Sequence, residues 1–456
     1  MNKYCLSFSV WLITLVFSHS VFANTEQIDR YLATLFNPDK PGAAVLVVKD
    51  GKTVFKKAYG MANLELNVLH SPDMVFHAGS VTKQFTAAAI LRLAEQGKLQ
   101  IRQSIRHYMP DVPNTWQAIT LEHLLTHTSG IKNLFMEADY RKGMREDKKP
   151  ADDLAYAVTL PLLAAPGELF HYSSFNYVVL ALVIEKVSGQ SYKDFIAQQF
   201  LLPLNMKYTK LDHPHSLITG LVSPYVHGPQ PAPFVSHTAL LGAGSYFTTV
   251  DDLALWTLAL QNGKVLNSAS LKAMNTAFRV NDGSNIHYGY GVRPHGTQAD
   301  PYIQSNGDIF GYHAEVVYQP KAKLLVAILS NSEELELGLD PVAQHIAALA
   351  DGTPESEPAS IVLPRDKLNA LTGSYANGPR VRQISVHNGK LTSQFPDSAA
   401  ETLTAISASE FYFDTSPSER LSFTSKNGKF DKVTLHLADR GPAAIYVKIQ
   451  TAPKQE

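Results

Sequence analysis

The chain has 456 residues, 45% hydrophobic and 18% charged, with Lys+Arg 40 against Asp+Glu 41 and a net charge of −1. That apolar content supports buried cores and excludes a mostly disordered chain. The balanced charge excludes a protein that gathers nucleic acid or anionic lipid by a long-range field.

Residues 1–23 place one cation, Lys3, before an apolar run over 10–17, with Val21 and Ala23 at the small-residue positions of a cleavage site. This is the pattern of a secretory signal peptide, and it implies a secreted or periplasmic protein. The run is shorter than the roughly 20 residues a bilayer crossing needs, so no membrane span is expected after cleavage. Cys5 is the one cysteine; beyond residue 23 no thiolate can serve catalysis or a metal site.

Strands over 43–48 and 53–59 flank Asp50-Gly51, a hairpin signal. An Ala-rich helix over 84–93 ends before Gly97. Further helices are expected over 176–187, stopping at Gly189, over 192–200, and over 251–260, stopping near Gly263. Apolar strands return over 313–318 and 324–330, and a helix over 340–349 closes a domain spanning 24–350. Residues 351–362, rich in Pro, Ser and Glu, read as a linker. Residues 363–456 alternate in short strands with turn signals at Asn388-Gly389 and Asn427-Gly428, the pattern of a small β-barrel-like domain. Antiparallel strands at both ends of the main domain with helices between give an α+β class: an antiparallel sheet flanked by helices, plus a helical subdomain.

Three segments carry chemistry. Ser80-Val81-Thr82-Lys83 sets a hydroxyl and an amine on one helical face. Ser80 falls at the helix start, where free amides and the dipole favour developing negative charge. Lys83, one turn in and beside Phe85, Ala87 and Ala88, is partly desolvated, which favours the neutral amine that can take the serine proton. A second Ser-x-x-Lys match, Ser129 to Lys132, contains Gly130 and reads as a loop coincidence. Tyr172, just before a helix, supplies a phenol to relay protons among Ser80, Lys83 and the leaving group. Ser305-Asn306-Gly307 runs into the late strand pair, and its glycine permits close approach of substrate. The amide of Asp308 can then join that of Ser80 as an oxyanion hole, with Ser174 and Ser305 facing substrate.

In this order the segments resemble the β-lactamase-related serine hydrolases: class C β-lactamases, penicillin-binding D-Ala-D-Ala carboxypeptidases and esterases of the same fold. The likeness extends to Leu121-Glu-His-Leu-Leu-Thr-His-Thr-Ser-Gly-Ile131, to 172–189, to Gly242-Ala243-Gly244-Ser245 and to Tyr288-Gly289-Tyr290-Gly291. The resemblance implies a sheet flanked by helices, a helical subdomain and a cleft between them. Two positions depart from the family pattern. Ser174 stands where Asn is usual, and Ser305 where Lys or His is usual. The missing cation, which in relatives helps hold a substrate carboxylate, implies weak turnover of penicillins and of peptides ending in a free carboxylate.

Other patterns are weaker. Tyr375-Ala376-Asn377 and His387-Asn388-Gly389 match the family spelling better but lie in the β domain, where they read as structural. His123-Leu-Leu-Thr-His127 has helical i, i+4 spacing, yet Leu124 occupies the place of the glutamate base in a zinc protease, and both histidines read as satisfied structural residues. His213 and His215 read as surface-loop residues, and G-x-S-x-G does not occur. The sequence therefore describes an exported serine hydrolase that cleaves an ester or amide through acyl-Ser80, of esterase or D-Ala-D-Ala carboxypeptidase type. Its substrate is a small molecule or peptide, with cell-wall peptide a candidate. No cofactor, metal or nucleic acid is implied, and oligomeric state is not legible. The alternative is a penicillin- or peptidoglycan-binding module that has lost turnover.

Overall fold

The computed structural model describes residues 24–137, 140, 143–147, 149–211, 217–226, 228–296, 300–332, 338–353, 359–377, 380–395, 400–414, 416–426, 429–437 and 441–449. The segment read as a signal peptide, His213, His215 and Asn427-Gly428 lie outside them. These residues fall into two compact units, one within 36–226 and 231–332, the other within 1–35, 227–230 and 333–456.

The larger unit is built on a six-stranded sheet. The hairpin of β1 (Ala43–Lys49) and β2 (Lys52–Tyr59) forms as expected, with Asp50 and Gly51 both at positive φ in its turn. The other four strands are β3 (Arg293–Gly296), β4 (Pro301–Ile309), β5 (Tyr312–Gln319) and β6 (Leu324–Ser330). The order is β3-β4-β5-β6-β1-β2, and every neighbour is antiparallel. The first strand thus pairs with the last, Ala43 opposite Ser330. β6 is buried at all its positions and β1 at all but Lys49, so both sheet faces are covered and alternation disappears from these sequences.

Helix α1 (Thr82–Glu95) follows a 3-10 turn over Gly79–Val81, so the helical run starts before the expected residue 84. Helix α2 (Leu121–Leu125) and α3 (Phe175–Ser188) pack with α1 into the helical layer, and α4 (Val250–Gln261) packs on β1 and β6. The Tyr192–Ile196 helix widens into a π turn over Ala197–Leu201, which buries Phe200 and Leu201 together.

The smaller compact unit takes in the helix Asp340–Asp351, which forms where a helix over 340–349 is expected. Eight strands from Gly373–Asn377 to Gly441–Ile449 close into an antiparallel barrel with its own core, including Leu371, Ile384, Leu391, Phe413 and Leu421. Tyr375 is buried there and donates its hydroxyl to Leu371 O, while Asn388 and Gly389 form the positive-φ turn after His387. Both better-spelled motifs are thus barrel parts. Among the described residues no helix is long and apolar enough to cross a membrane.

Candidate active site

Ser80 sits in the 3-10 turn that feeds α1, half-buried, with the strand β4 passing directly beside it. That approach needs glycine at 307: a Cβ there would lie 2.1 Å from Ala78 O and 2.8 Å from Ser80 N. The same packing puts the Asp308 amide nitrogen against Gly79, where an added Cβ would be 2.8 Å from it. The two amide groups expected to form an oxyanion hole therefore belong to backbones in close contact.

Lys83 Nζ lies 2.9 Å from Ser80 Oγ, donates to Ala243 O at 2.7 Å and to Ser174 Oγ at 3.3 Å. Its side chain is 1% exposed. Burial pushes the amine below its ordinary value, the nearby Arg293 charge adds to that, and Tyr172 and Asp308 oppose it. Tyr172 OH donates to Ser80 Oγ at 3.0 Å, and the Lys83 amine stands 5.0 Å from the Tyr172 ring centre. Ser174 is the N-cap of α3 but makes no side-chain cap, so its hydroxyl is turned to Lys83.

The structure thus links Ser174 to Lys83, Lys83 to Ser80 and Ser80 to Tyr172 by hydrogen bonds. Ser305 is buried and Asn306 half-buried on β4, and both line the same cleft as Ser80 and Tyr172. Asn306 Nδ2 donates to Asp308 Oδ2 at 3.4 Å, and the Asp308 carboxylate is paired with His313 Nδ1 at 2.7 Å.

Two further residues belong here that sequence reasoning missed. Arg293 opens β3, opposite Gln304, and lines the cleft with Ser80, Tyr172, Ser305 and Asn306. Its guanidinium stands 5.3 Å from the centre of the Tyr288 ring, and no acidic partner faces it among the described residues. The strand beside β4 thus places a guanidinium in the cleft that has Ser, not Lys or His, at position 305. Gly291, at φ 73°, makes this possible, because a Cβ there would be 2.8 Å from Lys83 O. The only signal in the sequence was Arg293 following Tyr288-Gly289-Tyr290-Gly291 by two residues.

His127 is the second. α2 ends at Leu125, and His127 has φ 57°, so the helical i, i+4 pair with His123 does not form. His123 instead completes a capping box with Thr120. The His127 ring lies 4.3 Å from that of Tyr172; its Nδ1 accepts from Ser173 N–H and its Nε2 faces Tyr288 OH at 3.2 Å. Complete burial, reinforced by the Lys83 charge, holds it well below 6.5, so it is a neutral platform under the phenol. The second Ser-x-x-Lys match is no site: Gly130 is at positive φ and Ser129 Oγ donates to Asn176 Oδ1.

A hydroxyl shared by a buried amine and a phenol, beside the edge of an antiparallel sheet, defines the class: serine hydrolases of β-lactamase/transpeptidase-like fold. The chain belongs to the Beta-lactamase family, whose model matches residues 28–350. It is 35% identical over 174 residues to Protein flp of Staphylococcus aureus (strain MW2), a match covering 37% of this chain and 34% of that protein. The chain therefore matches about a third of the length of that curated relative. The octameric penicillin-binding protein homologue from Pyrococcus abyssi aligns with TM-score 0.66 and 24% identity, over 94% of this chain and 100% of its own. The D-stereospecific amidohydrolase from Streptomyces sp. aligns with TM-score 0.59 and 21% identity, over 68% of this chain and 94% of its own.

Proposed function

We propose that the chain is an exported serine hydrolase that cleaves an ester or amide bond through an acyl-Ser80 intermediate, with 24–350 as its catalytic domain. The observation that carries this is Ser80 Oγ flanked by Lys83 Nζ at 2.9 Å and Tyr172 OH at 3.0 Å. A neutral amine has two N–H donors and one lone pair. Ala243 O and Ser174 Oγ take the donors, leaving the lone pair for the Ser80 proton. Ser80 Oγ then bonds to the substrate carbonyl carbon and the amides of Ser80 and Asp308 hold the oxyanion. The bond from that carbon to the leaving group breaks as Tyr172 gives the leaving group a proton and recovers one from the Lys83 ammonium. In the second half water gives a proton to the neutral amine as it attacks the acyl carbon, the carbon–Oγ bond breaks, and that proton returns to Ser80.

The substrate class is an ester or a D-amino-acid amide or peptide; the penicillin-binding and D-stereospecific amidohydrolase names of the structural neighbours support the second. The expectation of poor turnover of carboxylate-ended peptides rested on an absent cation, and Arg293 removes that ground. Weak penicillin turnover remains proposed on Ser174, which offers Lys83 a hydroxyl and has no amide for substrate.

Esters of p-nitrophenol, D-amino-acid peptides and β-lactams should be assayed with wild type and Ser80→Ala beside a fluorophosphonate probe. Labelling and turnover lost together in Ser80→Ala are expected. Activity that survives the substitution removes the nucleophile, and labelling without turnover of any substrate supports the binding module.

A further inference from the structure

A cavity of about 340 Å³ lies in the larger unit, lined among others by His77, Val222, Ala232, Phe247, Ile309 and Tyr312. Its size is within the range of about 300–1,000 Å³ seen for small-molecule sites. Its walls are fixed by hydrogen bonds. Tyr312 OH donates to Val222 O at 2.6 Å, Val222 N–H to Val75 O at 3.1 Å, and Ala232 N–H to Pro224 O at 3.0 Å. The His77 ring meets Phe247 edge-on at 4.5 Å, and its Nδ1 accepts from Gly79 N–H, the residue before Ser80.

The cavity and the cleft share one strand. Asp308 carries the oxyanion amide; Ile309 and Phe310, one and two residues further along, line the cavity. Ile309 ends β4 and Phe310 begins the turn after it, so the cavity wall starts one residue, about 3.3 Å of strand, beyond that amide. In the other direction along β4 come Asn306 and Ser305, beside Arg293. Along β4 the Asp308 amide therefore falls between residues that line the cleft beside Arg293 and residues that line the apolar cavity.

We propose that this chamber receives an uncharged aliphatic or aromatic acyl group of the substrate, on the side of the scissile carbonyl away from Arg293. The inference rests on the acyl-Ser80 reading above. In wild type, kcat/KM for p-nitrophenyl acetate, butyrate and hexanoate should rise about tenfold or more along the series, since each methylene in an apolar pocket adds discrimination. Ala232→Trp fills the chamber and should flatten the series while acetate turnover and fluorophosphonate labelling stay within about twofold of wild type. Phe234→Ala, a change at the 52% exposed rim, keeps the test open if the tryptophan variant does not fold, and should lower hexanoate turnover selectively. A flat series in protein that labels at Ser80 overturns the chamber assignment alone, as does a rim variant that lowers acetate and hexanoate alike. Absence of labelling in wild type overturns the Ser80 reading and this one with it.

Discussion

Lys83 shows how one side chain sets both chemistry and stability. Its amine is held below 10.5 chiefly by burial, so between the folded value and 10.5 the unfolded chain binds more protons. Stability from this group is therefore gained as pH rises through that window and lost as pH falls. The kcat/KM profile should follow the same ionisation, climbing to a plateau with an apparent pKa below 10.5. Lys83→Met replaces a desolvated amine by an apolar chain of similar length. It should melt at or above the wild-type temperature while kcat/KM drops by about 10²-fold or more. A marked fall in melting temperature would mean that the amine is a structural tie. Arg293, without an acidic partner, predicts a substrate anion instead. Arg293→Gln should raise KM about tenfold or more for a substrate ending in a carboxylate and leave its amide-capped analogue within about twofold, measured by steady-state kinetics. The Ser-x-x-Lys pair and Tyr172 were legible because their spacing is local or family-typical. Arg293 was not, because nothing in a four-residue, proline-containing edge strand announces which cleft it borders.

At the level of elements, the site depends on β4 riding tightly over the turn before α1. Gly307 is the contact, and its constraint is steric, since Ala78 O and Ser80 N occupy the space of a side chain. Gly307→Ala should push the strand away from Ser80 and weaken the oxyanion hole. A fall in kcat/KM of about 10²–10³-fold is expected, with a stability loss of about 1–3 kcal/mol by denaturant unfolding. Unchanged kinetics would place the oxyanion elsewhere. Helix ends were readable from local chemistry: α3 runs one residue beyond expectation on each side and stops at Gly189 in the left-handed conformation. The pairing of β1 with β6 was not readable. Both are continuous apolar runs buried on both faces, so no alternation in the sequence marks their register. The change at His127, out of a helix and under Tyr172, was equally hidden, because i, i+4 spacing says nothing about where a helix stops.

Among the described residues, one large hydrophobic cluster lies against the six-stranded sheet and another, sharing no residue with it, fills the barrel. Unfolding should therefore depart from a two-state transition. Calorimetry is expected to resolve two steps, of which Lys83→Met shifts only that of the larger unit. A single step that moves as a whole would show the cores to be thermodynamically one. The barrel was legible as short alternating strands with turn signals.

The partnership of Ala43 with Ser330 has a consequence for biosynthesis. A ribosome that has delivered the reactive serine, its lysine and its tyrosine has not yet made Asp308 or the strand on which the opening hairpin must lie. Until those late segments emerge, Ser80 lacks the backbone of Gly307 and Asp308 that packs on its turn, and the opening hairpin lacks the strand it pairs with. The sheet that frames Ser80 is thus completed only when residues 324–330 are made, after every side chain in the cleft has already been synthesised.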